Sequence, residues 1–213
     1  MENTEKAERI KRIVAKSVNL FKTYGIRSVS MDDIARELGM SKKTLYEHFD
    51  NKAELLSTAL EVVLQEFTLW YDDLKEQNLN AIDELLSISK RVNDEYAKFS
   101  PSNIFDLKKY YPDVIKEHIN NEKQITYTVL VENLRKGITG NIYRNDLDVD
   151  LIAGLYVQKI AVLHSGEFWS DANVTFEKIF EIMFENHIRG IVNPEGLEYF
   201  EQRKSQLIFK NLQ

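Results

Sequence analysis

The polar residues best suited to chemistry in this sequence are concentrated between Ser30 and Lys52. Two lysines and a threonine follow Ser41, and a tyrosine and a histidine come within the next four residues. Lysine ammonium groups attract phosphate, whereas short-reach donors and hydroxyls can hydrogen-bond to base edges. These residue types in one short segment indicate contact with a nucleic acid.

Catalytic and metal-binding patterns are missing from the sequence. It has no Cys, which excludes disulfides, thiolate zinc sites, iron–sulfur ligation and thiol catalysis. None of the four His has a Glu three residues before it, and there is no Walker loop, His-Glu-x-x-His or Gly-rich dinucleotide turn. We therefore expect no cofactor, no metal and no enzyme, and we expect His164 and His187 to be hydrogen-bonded interface residues.

Two short helices are predicted to position the polar cluster. Ser30 can cap the first helix, with Asp33 approximating a capping box. Gly39 allows a left-handed turn, and Ser41 can cap the second helix. The buried residues of both helices would be Ile34, Ala35, Leu38, Leu45 and Phe49. The outer face would present Lys42, Lys43, Thr44, Tyr46, Glu47 and His48. This is a helix-turn-helix layout, although an ordinary helical hairpin with a solvated polar face is the alternative.

The remaining sequence also has helical periodicity, with only 3 Pro and 8 Gly in 213 residues. Helices are predicted over 6–24, from 51 onward for more than about 20 residues, and over 81–99, 104–111, 112–135, 151–163 and 174–192, with another near the C-terminus. Lys136 and Gly137 are expected to end the helix over 112–135. The predicted fold class is all-α: an N-terminal three-helix helix-turn-helix unit (1–51) followed by a helical bundle (52–213), joined by one long, stiff helix.

The net charge of −6 is unevenly distributed along the chain. Residues 1–55 hold 11 Lys/Arg against 9 Asp/Glu, and the rest hold 17 against 25. Because polyanion binding depends on the local field, the acidic total does not exclude DNA. No apolar run approaches the length of a membrane span, and the N-terminus lacks the pattern of a signal peptide, so we expect a cytoplasmic protein without a membrane partner.

Two late helices are apolar around more than one stripe. In 151–163 the only non-apolar side chains, apart from Gly154, are Gln158 and Lys159. In 174–192 the apolar stripe is extended round the helix by Ile179, Ile182 and Ile191. One face can enter the core of the subunit while the other needs a partner, which predicts a homodimer through a four-helix interface. A single deeply buried central pair of helices is the alternative.

The front of the sequence resembles the TetR (tetracycline-repressor-like) family of transcriptional regulators. The resemblance lies in three segments, Asp33-Ile34-Ala35-Arg36-Glu37-Leu38-Gly39-Met40-Ser41, Thr44-Leu45-Tyr46-Glu47-His48-Phe49 and Asn51-Lys52-Ala53-Glu54-Leu55-Leu56. The motif covers about 50 residues; the remainder matches only in length, helix count and its two very apolar late helices.

The resemblance implies roles for individual residues. Lys42, Lys43 and Thr44 would face base edges and adjacent phosphates, and Tyr46 and His48 would grip the DNA backbone. Ser30 would touch a phosphate with its hydroxyl or backbone N–H, and Ser41 would also belong to the DNA-binding residues. Lys52 would hold a phosphate at the start of the long helix. Glu47 would either pair with a neighbouring lysine, which we favour, or accept from a cytosine amino group.

The resemblance further implies a homodimer that binds a palindromic operator and a small-molecule effector that releases it, most often from repression. Aromatic residues in the middle helices could line an effector cavity, although core packing is the alternative for each. The residues favoured for lining are Trp70, Phe99, Phe105 and Tyr127. Glu47 and Asp50 also permit another function: an all-α small-molecule binding protein with little or no remaining DNA affinity.

Overall fold

The computed structural model describes residues 2–96, 101–165 and 176–204, and its regular elements are helices. The helices are α1 (Glu2–Tyr24), α2 (Met31–Glu37), α3 (Lys42–Tyr46), α4 (Lys52–Glu76), α5 (Ala81–Tyr96), α6 (Pro101–Tyr110), α7 (Pro112–Thr139), α8 (Val149–Ser165), α9 (Phe176–Ile191) and α10 (Pro194–Arg203). The all-α class with an N-terminal helix-turn-helix is confirmed. Phe99 and the first residues of the helix predicted over 174–192 lie outside the described residues.

The chain forms two compact units. Unit 1 comprises Met1–Phe67 and Ala97–Asn120, and unit 2 comprises Thr68–Tyr96 and Asn121–Gln213. Helix α6 belongs to unit 1, whereas α4 and α7 contribute residues to both units. The functional division after residue 51 stays a prediction.

The core of unit 1 is built from one buried stripe of each helix, as the helical periodicity predicts. Its buried residues include Ile13, Phe21, Ile34, Ala35, Leu45, Phe49, Leu55, Leu56 and Leu107. Leu45 is the buried residue of the five-residue α3, so α3 depends on this single anchor and on Phe49 just beyond its end. Packing of this kind holds the short helix in place although its own length is too small for stability.

Local capping defines the two short helices. Ser30 Oγ accepts from the Asp33 N–H at 3.2 Å, and Asp33 Oδ2 accepts from the Ser30 N–H at 3.0 Å, which completes the capping box. Gly39, with φ of +65°, supplies the left-handed turn between the helices. Ser41 Oγ accepts from the Thr44 N–H at 3.1 Å and caps α3.

Gly137 does not end α7, contrary to the sequence prediction, and the helix continues to Thr139. A Cβ placed on Gly137 would lie 2.0 Å from Cδ2 of Tyr143. The glycine therefore allows the buried Tyr143 ring to lie directly against the helix backbone. Close approach, rather than chain reversal, is the reason for glycine at this position.

Unit 2 contains a buried polar cluster that ties α5 to α7. The carboxylate of Glu84, only 2% exposed, accepts from Asn133 Nδ2 at 2.9 Å and pairs with the Lys136 ammonium. Tyr143 donates to Asn133 Oδ1 at 3.0 Å. The buried carboxylate is thus both charge-compensated and hydrogen-bonded, as a stable buried ion requires.

Helices α8 and α9 present apolar side chains on two faces. Ala153, Tyr156 and Val157 are buried in the unit 2 core, as are Phe184 and Ile188. Other apolar side chains of the same helices are exposed, namely Leu151 (64%), Leu155 (59%), Val162 (50%) and Ile182 (49%). One apolar face of α8 therefore remains open to solvent in the monomer, as its sequence predicts.

Candidate nucleic-acid interface

Helix α3 presents most of its polar side chains outward. Leu45 is fully buried, while Lys42, Lys43 and Tyr46 are exposed. Thr44 is half-buried, and its hydroxyl lies 2.9 Å from Ser41 Oγ at the cap. The helix is thus anchored on one side and offers donors, a hydroxyl and an aromatic ring on the other.

Lys42 is engaged in an ion pair. Its ammonium contacts the Asp32 carboxylate in the first turn of α2, and both side chains remain at least half exposed. Such exposed pairs contribute little to stability, roughly 0.2–1 kcal/mol. Lys42 can therefore exchange Asp32 for a phosphate or base edge at small cost. Lys43 is exposed, and the ion pairs of the described part of the chain do not include it.

His48 and Glu47 lie at the end of α3 in different environments. Both ring nitrogens of His48 are covered and have no hydrogen-bond partner among the described residues. A phosphate contact from His48 therefore requires the ring to rotate. Glu47 is exposed, and the ion pairs of the described residues do not include the predicted pairing of Glu47 with a lysine. This leaves its carboxylate open to the alternative partner, a cytosine amino group.

The Lys52 ammonium is bound inside unit 1, whereas the resemblance implies that it holds a DNA phosphate. Its Nζ donates to the carbonyl oxygens of Ile26 and Val29, and it lies 5.5 Å from the ring centroid of Phe21. Burial lowers the pKa of the Lys52 ammonium, while the carboxylates of Asp106 and Asp33 oppose this shift. The ammonium is thus bound to backbone within unit 1, and a phosphate contact by Lys52 stays a prediction.

The residues favoured for effector binding are dispersed in the structure. Trp70 is half-buried in unit 2, with the Arg91 guanidinium 5.6 Å from its ring. Tyr127 is 37% exposed and donates to Asp150 Oδ1 at 2.9 Å. Phe105 belongs to unit 1 and is 57% exposed, with the Lys109 ammonium over its ring. Phe99 lies outside the described residues, and a lining role for these four residues stays a prediction.

Two polar residues of α5 that sequence reasoning missed are buried without partners. Ser89 Oγ and Asn93 Oδ1 have no hydrogen-bond partner among the described residues, and the two side chains are 1% and 4% exposed. They continue the inner stripe that begins with Ile82, Leu85 and Leu86. A sequence signal was available, because the stripe changes from apolar to polar at i, i+4 spacing within one helix.

His187 on α9 is a third such group in unit 2. Its ring lies 4.2 Å from the Tyr156 ring, and Nε2 has no partner among the described residues. Burial lowers the pKa of His187 to about 4, with a smaller contribution from the charge of Lys159. The imidazole is neutral at pH 7. The expectation of a hydrogen-bonded histidine is wrong at Nε2, and His164 has no described side chain.

Metal ligation and membrane insertion find no support in the described ranges. Residues 2–96, 101–165 and 176–204 contain no group of three or more His, Asp or Glu arranged to hold a metal ion. Within the same part of the chain, no helix is both long and apolar enough to cross a membrane.

Comparisons with known proteins agree with the helix-turn-helix geometry. The sequence profile of the family described as "Bacterial regulatory proteins, tetR family" matches residues 13–59. The HTH-type transcriptional regulator YvaF of Bacillus subtilis (strain 168) is 25% identical over 189 residues, which cover 87% of this chain and 96% of YvaF. The HTH-type transcriptional repressor KstR2 of Rhodococcus jostii (strain RHA1) is 23% identical over 188 residues, covering 84% and 89%.

A solved structure extends the similarity to the fold of most of the chain. A transcriptional regulator from Saccharomonospora viridis, solved in complex with choline, superposes with a TM-score of 0.63. It is 20% identical and covers 88% of this chain and 99% of that one. The capped α2–α3 pair and the outward donors of α3 thus lie within the segment that matches the TetR family model, and the chain is similar over most of its length to helix-turn-helix transcriptional regulators.

Proposed function

We propose that this regulator is a cytoplasmic repressor that binds a palindromic operator as a homodimer and leaves it when a small molecule binds unit 2. The observation that carries the DNA-binding part is the outward face of α3. Lys42, Lys43 and Tyr46 are exposed there, while Leu45 anchors the opposite side in the core. A helix of this width enters the major groove, where bases present distinct hydrogen-bonding patterns.

The exposed apolar face of α8 supports the homodimer. Leu151, Leu155 and Val162 lie on one helix at spacings of four and seven residues and are each at least half exposed. A second copy of the same helix would cover them in an isologous interface, with Ile182 of α9 contributing. Two copies of α3 would then read half-sites about 34–36 Å apart, or one DNA turn.

The unpartnered polar atoms of unit 2 support an uncharged effector. Ser89 Oγ, Asn93 Oδ1 and the neutral His187 ring offer hydrogen bonds that nothing in the described chain takes up. The buried charge of Glu84 is already compensated by Lys136. A mainly apolar ligand with hydroxyl or carbonyl groups therefore matches this interior better than an ionic one.

Similar proteins support repression and the binding of a small molecule. KstR2 is a repressor by its name, and the S. viridis regulator was solved with a small molecule bound. By analogy, effector binding here would favour a conformer in which the two α3 helices of the dimer no longer match successive major grooves. The achievable change in DNA affinity is limited by the effector's differential affinity for the two conformers, commonly about 1–3 kcal/mol.

Selection of DNA from a random duplex pool, followed by a mobility-shift titration, tests this function. We expect a palindromic site, binding as a dimer, and a loss of most affinity between about 50 and 200 mM salt. A selected site without two-fold symmetry would contradict the homodimeric arrangement.

The alternative is a small-molecule binding protein with little DNA affinity. The pairing of Lys42 with Asp32 and the inward position of Lys52 favour it, because both reduce the positive charge offered to DNA. It predicts that no sequence is enriched in the selection, while small molecules still raise the melting temperature of the protein.

A further inference from the structure

Lys52 is bound inside unit 1 by the turn that joins α1 to α2, residues 25–29. Its ammonium donates to the carbonyl oxygens of Ile26 and Val29. The rings of Phe21 and Tyr111 flank it, with centroids 5.5 and 5.9 Å from Nζ. Two backbone carbonyls and two aromatic faces therefore replace much of the water that would solvate an exposed ammonium.

Helix α6 binds the N–H side of the same turn. Asn103 Oδ1 accepts from the Ile26 N–H at 3.2 Å, and Asp106 Oδ2 accepts from the Arg27 N–H at 3.0 Å. The Asn103 side chain is 1% exposed, so this contact is dry. The Arg27 guanidinium lies 5.1 Å from the Tyr110 ring centroid on α6. Ile26 is thus held at both its N–H and its carbonyl, by residues from two helices.

The position of this turn determines where α2 begins. Val29, whose carbonyl Lys52 holds, directly precedes Ser30, the N-cap of α2. We infer that Lys52, Asn103 and Asp106 are positioning residues for operator binding, and that Lys52 acts through the α1–α2 turn rather than by contacting a phosphate. This inference rests on the proposed DNA-binding function.

A phosphate contact would require Lys52 to leave its present partners. The carbonyls of Ile26 and Val29 would then lose their donor next to buried side chains, since both residues are 3% exposed. The nearby Asp106 carboxylate stabilises the ammonium where it is. Each of these contacts favours the inward position.

The test compares DNA affinity at several salt concentrations for variants of the full-length chain. The probe is the duplex that the wild-type protein selects from a random pool. Each phosphate contact contributes about 0.9 to the slope of log affinity against log salt concentration. The variants are Lys52→Met, Lys52→Arg, Asn103→Ala and Asp106→Ala, with Lys43→Ala as the matched control for a lysine that contacts phosphate.

We expect Lys52→Met to weaken binding about tenfold with an unchanged salt slope, because it removes two charge-assisted hydrogen bonds to the turn. Lys43→Ala should instead reduce the slope by about 0.9. Lys52→Arg should stay weak, since a planar guanidinium does not replace a compact ammonium between two carbonyls. Asn103→Ala and Asp106→Ala should also weaken binding, and combining Asn103→Ala with Lys52→Met should be less than additive.

Several results would overturn the inference. One is a salt slope lowered by about 0.9 in Lys52→Met, and another is restored DNA affinity in Lys52→Arg. A third is wild-type DNA affinity in Lys52→Met, or in both Asn103→Ala and Asp106→Ala. Circular dichroism establishes that each variant is folded. Hydrogen exchange without DNA tests the turn independently: the Ile26 and Arg27 amides should exchange faster in Lys52→Met, and unchanged exchange would also overturn the inference. Absence of any selected duplex would refute operator binding instead, while exchange would still report on the turn.

Discussion

At the scale of single residues, the proposed DNA-binding surface combines groups that are ready to bind with groups that must first change partners. Lys43 is exposed, whereas Lys42 is paired with Asp32 and the His48 nitrogens are covered. The residue types were predictable from the sequence, because a helix-turn-helix requires them on one face. Their partners were not, because Asp32 lies ten residues before Lys42 and meets it only after α2 and α3 pack.

The ion pair between Lys42 and Asp32 should limit DNA affinity. Asp32→Asn frees the Lys42 ammonium and removes a repulsive charge, so we expect operator affinity to rise about threefold at low salt. Glu37→Gln is the matched control, since Glu37 also lies on α2 and pairs with Lys16 at 2.7 Å. Fluorescence anisotropy with labelled operator measures the DNA affinity of both variants. Equal gains in the two variants would show that net charge alone is responsible.

Thr44 should determine base preference. Thr44→Val keeps the shape and methyl group but removes the hydroxyl, so we expect the preferred base at one position of each half-site to change, with a discrimination loss of about 1–3 kcal/mol. Lys43→Ala should weaken binding to all sequences about equally. Repeating the DNA selection with each variant measures the preference. An unchanged site for Thr44→Val would place the hydroxyl away from the bases.

At the scale of helices, α5 and α9 carry the buried polar atoms of unit 2 that lack hydrogen-bond partners among the described residues. The inner stripe of α5 turns polar at Ser89 and Asn93, and α9 contributes the unpartnered Nε2 of His187. The helices themselves were predictable from apolar spacing. The missing hydrogen bonds were not, since satisfaction of a buried polar atom depends on residues from other helices.

Ser89 and Asn93, at the polar end of the α5 stripe, should support effector binding while lowering the stability of the free protein. Ser89→Ala and Asn93→Leu each remove a buried unpartnered oxygen, so we expect the free energy of unfolding to rise by about 1 kcal/mol. Both variants should also lose the release of operator DNA by the effector. Ser87→Ala is the control, since the Ser87 hydroxyl donates to the Asp83 carbonyl at 2.9 Å. Urea unfolding that shows both α5 variants to be less stable than the wild type would contradict this role.

The α8–α9 pair should lose stability in mild acid because of His187. Its pKa is about 4 in the folded protein, against 6.5 for an unperturbed histidine, so the unfolded chain binds more protons between these values. Stability from this group is complete above pH 6.5 and declines toward pH 4. Between pH 7 and pH 5 the loss should be about 2 kcal/mol.

His187→Phe should reduce this pH dependence, because phenylalanine retains the ring contact with Tyr156 without a titrating group. Urea unfolding of both proteins at the two pH values measures the difference. The same decline in the variant and the wild type would assign it to other groups.

At the scale of the whole molecule, dimer formation should depend on the exposed apolar face of α8. Leu155→Glu places a charge in the proposed interface, so we expect a monomer and a loss of operator affinity of at least about tenfold. Leu69→Glu is the matched control: Leu69 is 67% exposed, like Leu155 at 59%, but lies on α4. Sedimentation and anisotropy measure the two effects. A dimeric Leu155→Glu, or equal disruption by Leu69→Glu, would refute this interface.

The amino-acid sequence alone determined the helical class, the capped α2–α3 pair and the resemblance of the front segment to TetR regulators, because capping, apolar periodicity and the motif each involve residues close together in the chain. Tertiary packing decided the position of the Lys52 ammonium, the membership of α6 in unit 1, and the role of Gly137. Each of these depends on contacts between groups far apart in the chain, and local sequence patterns do not encode which distant carbonyl, carboxylate or ring will be nearest after folding.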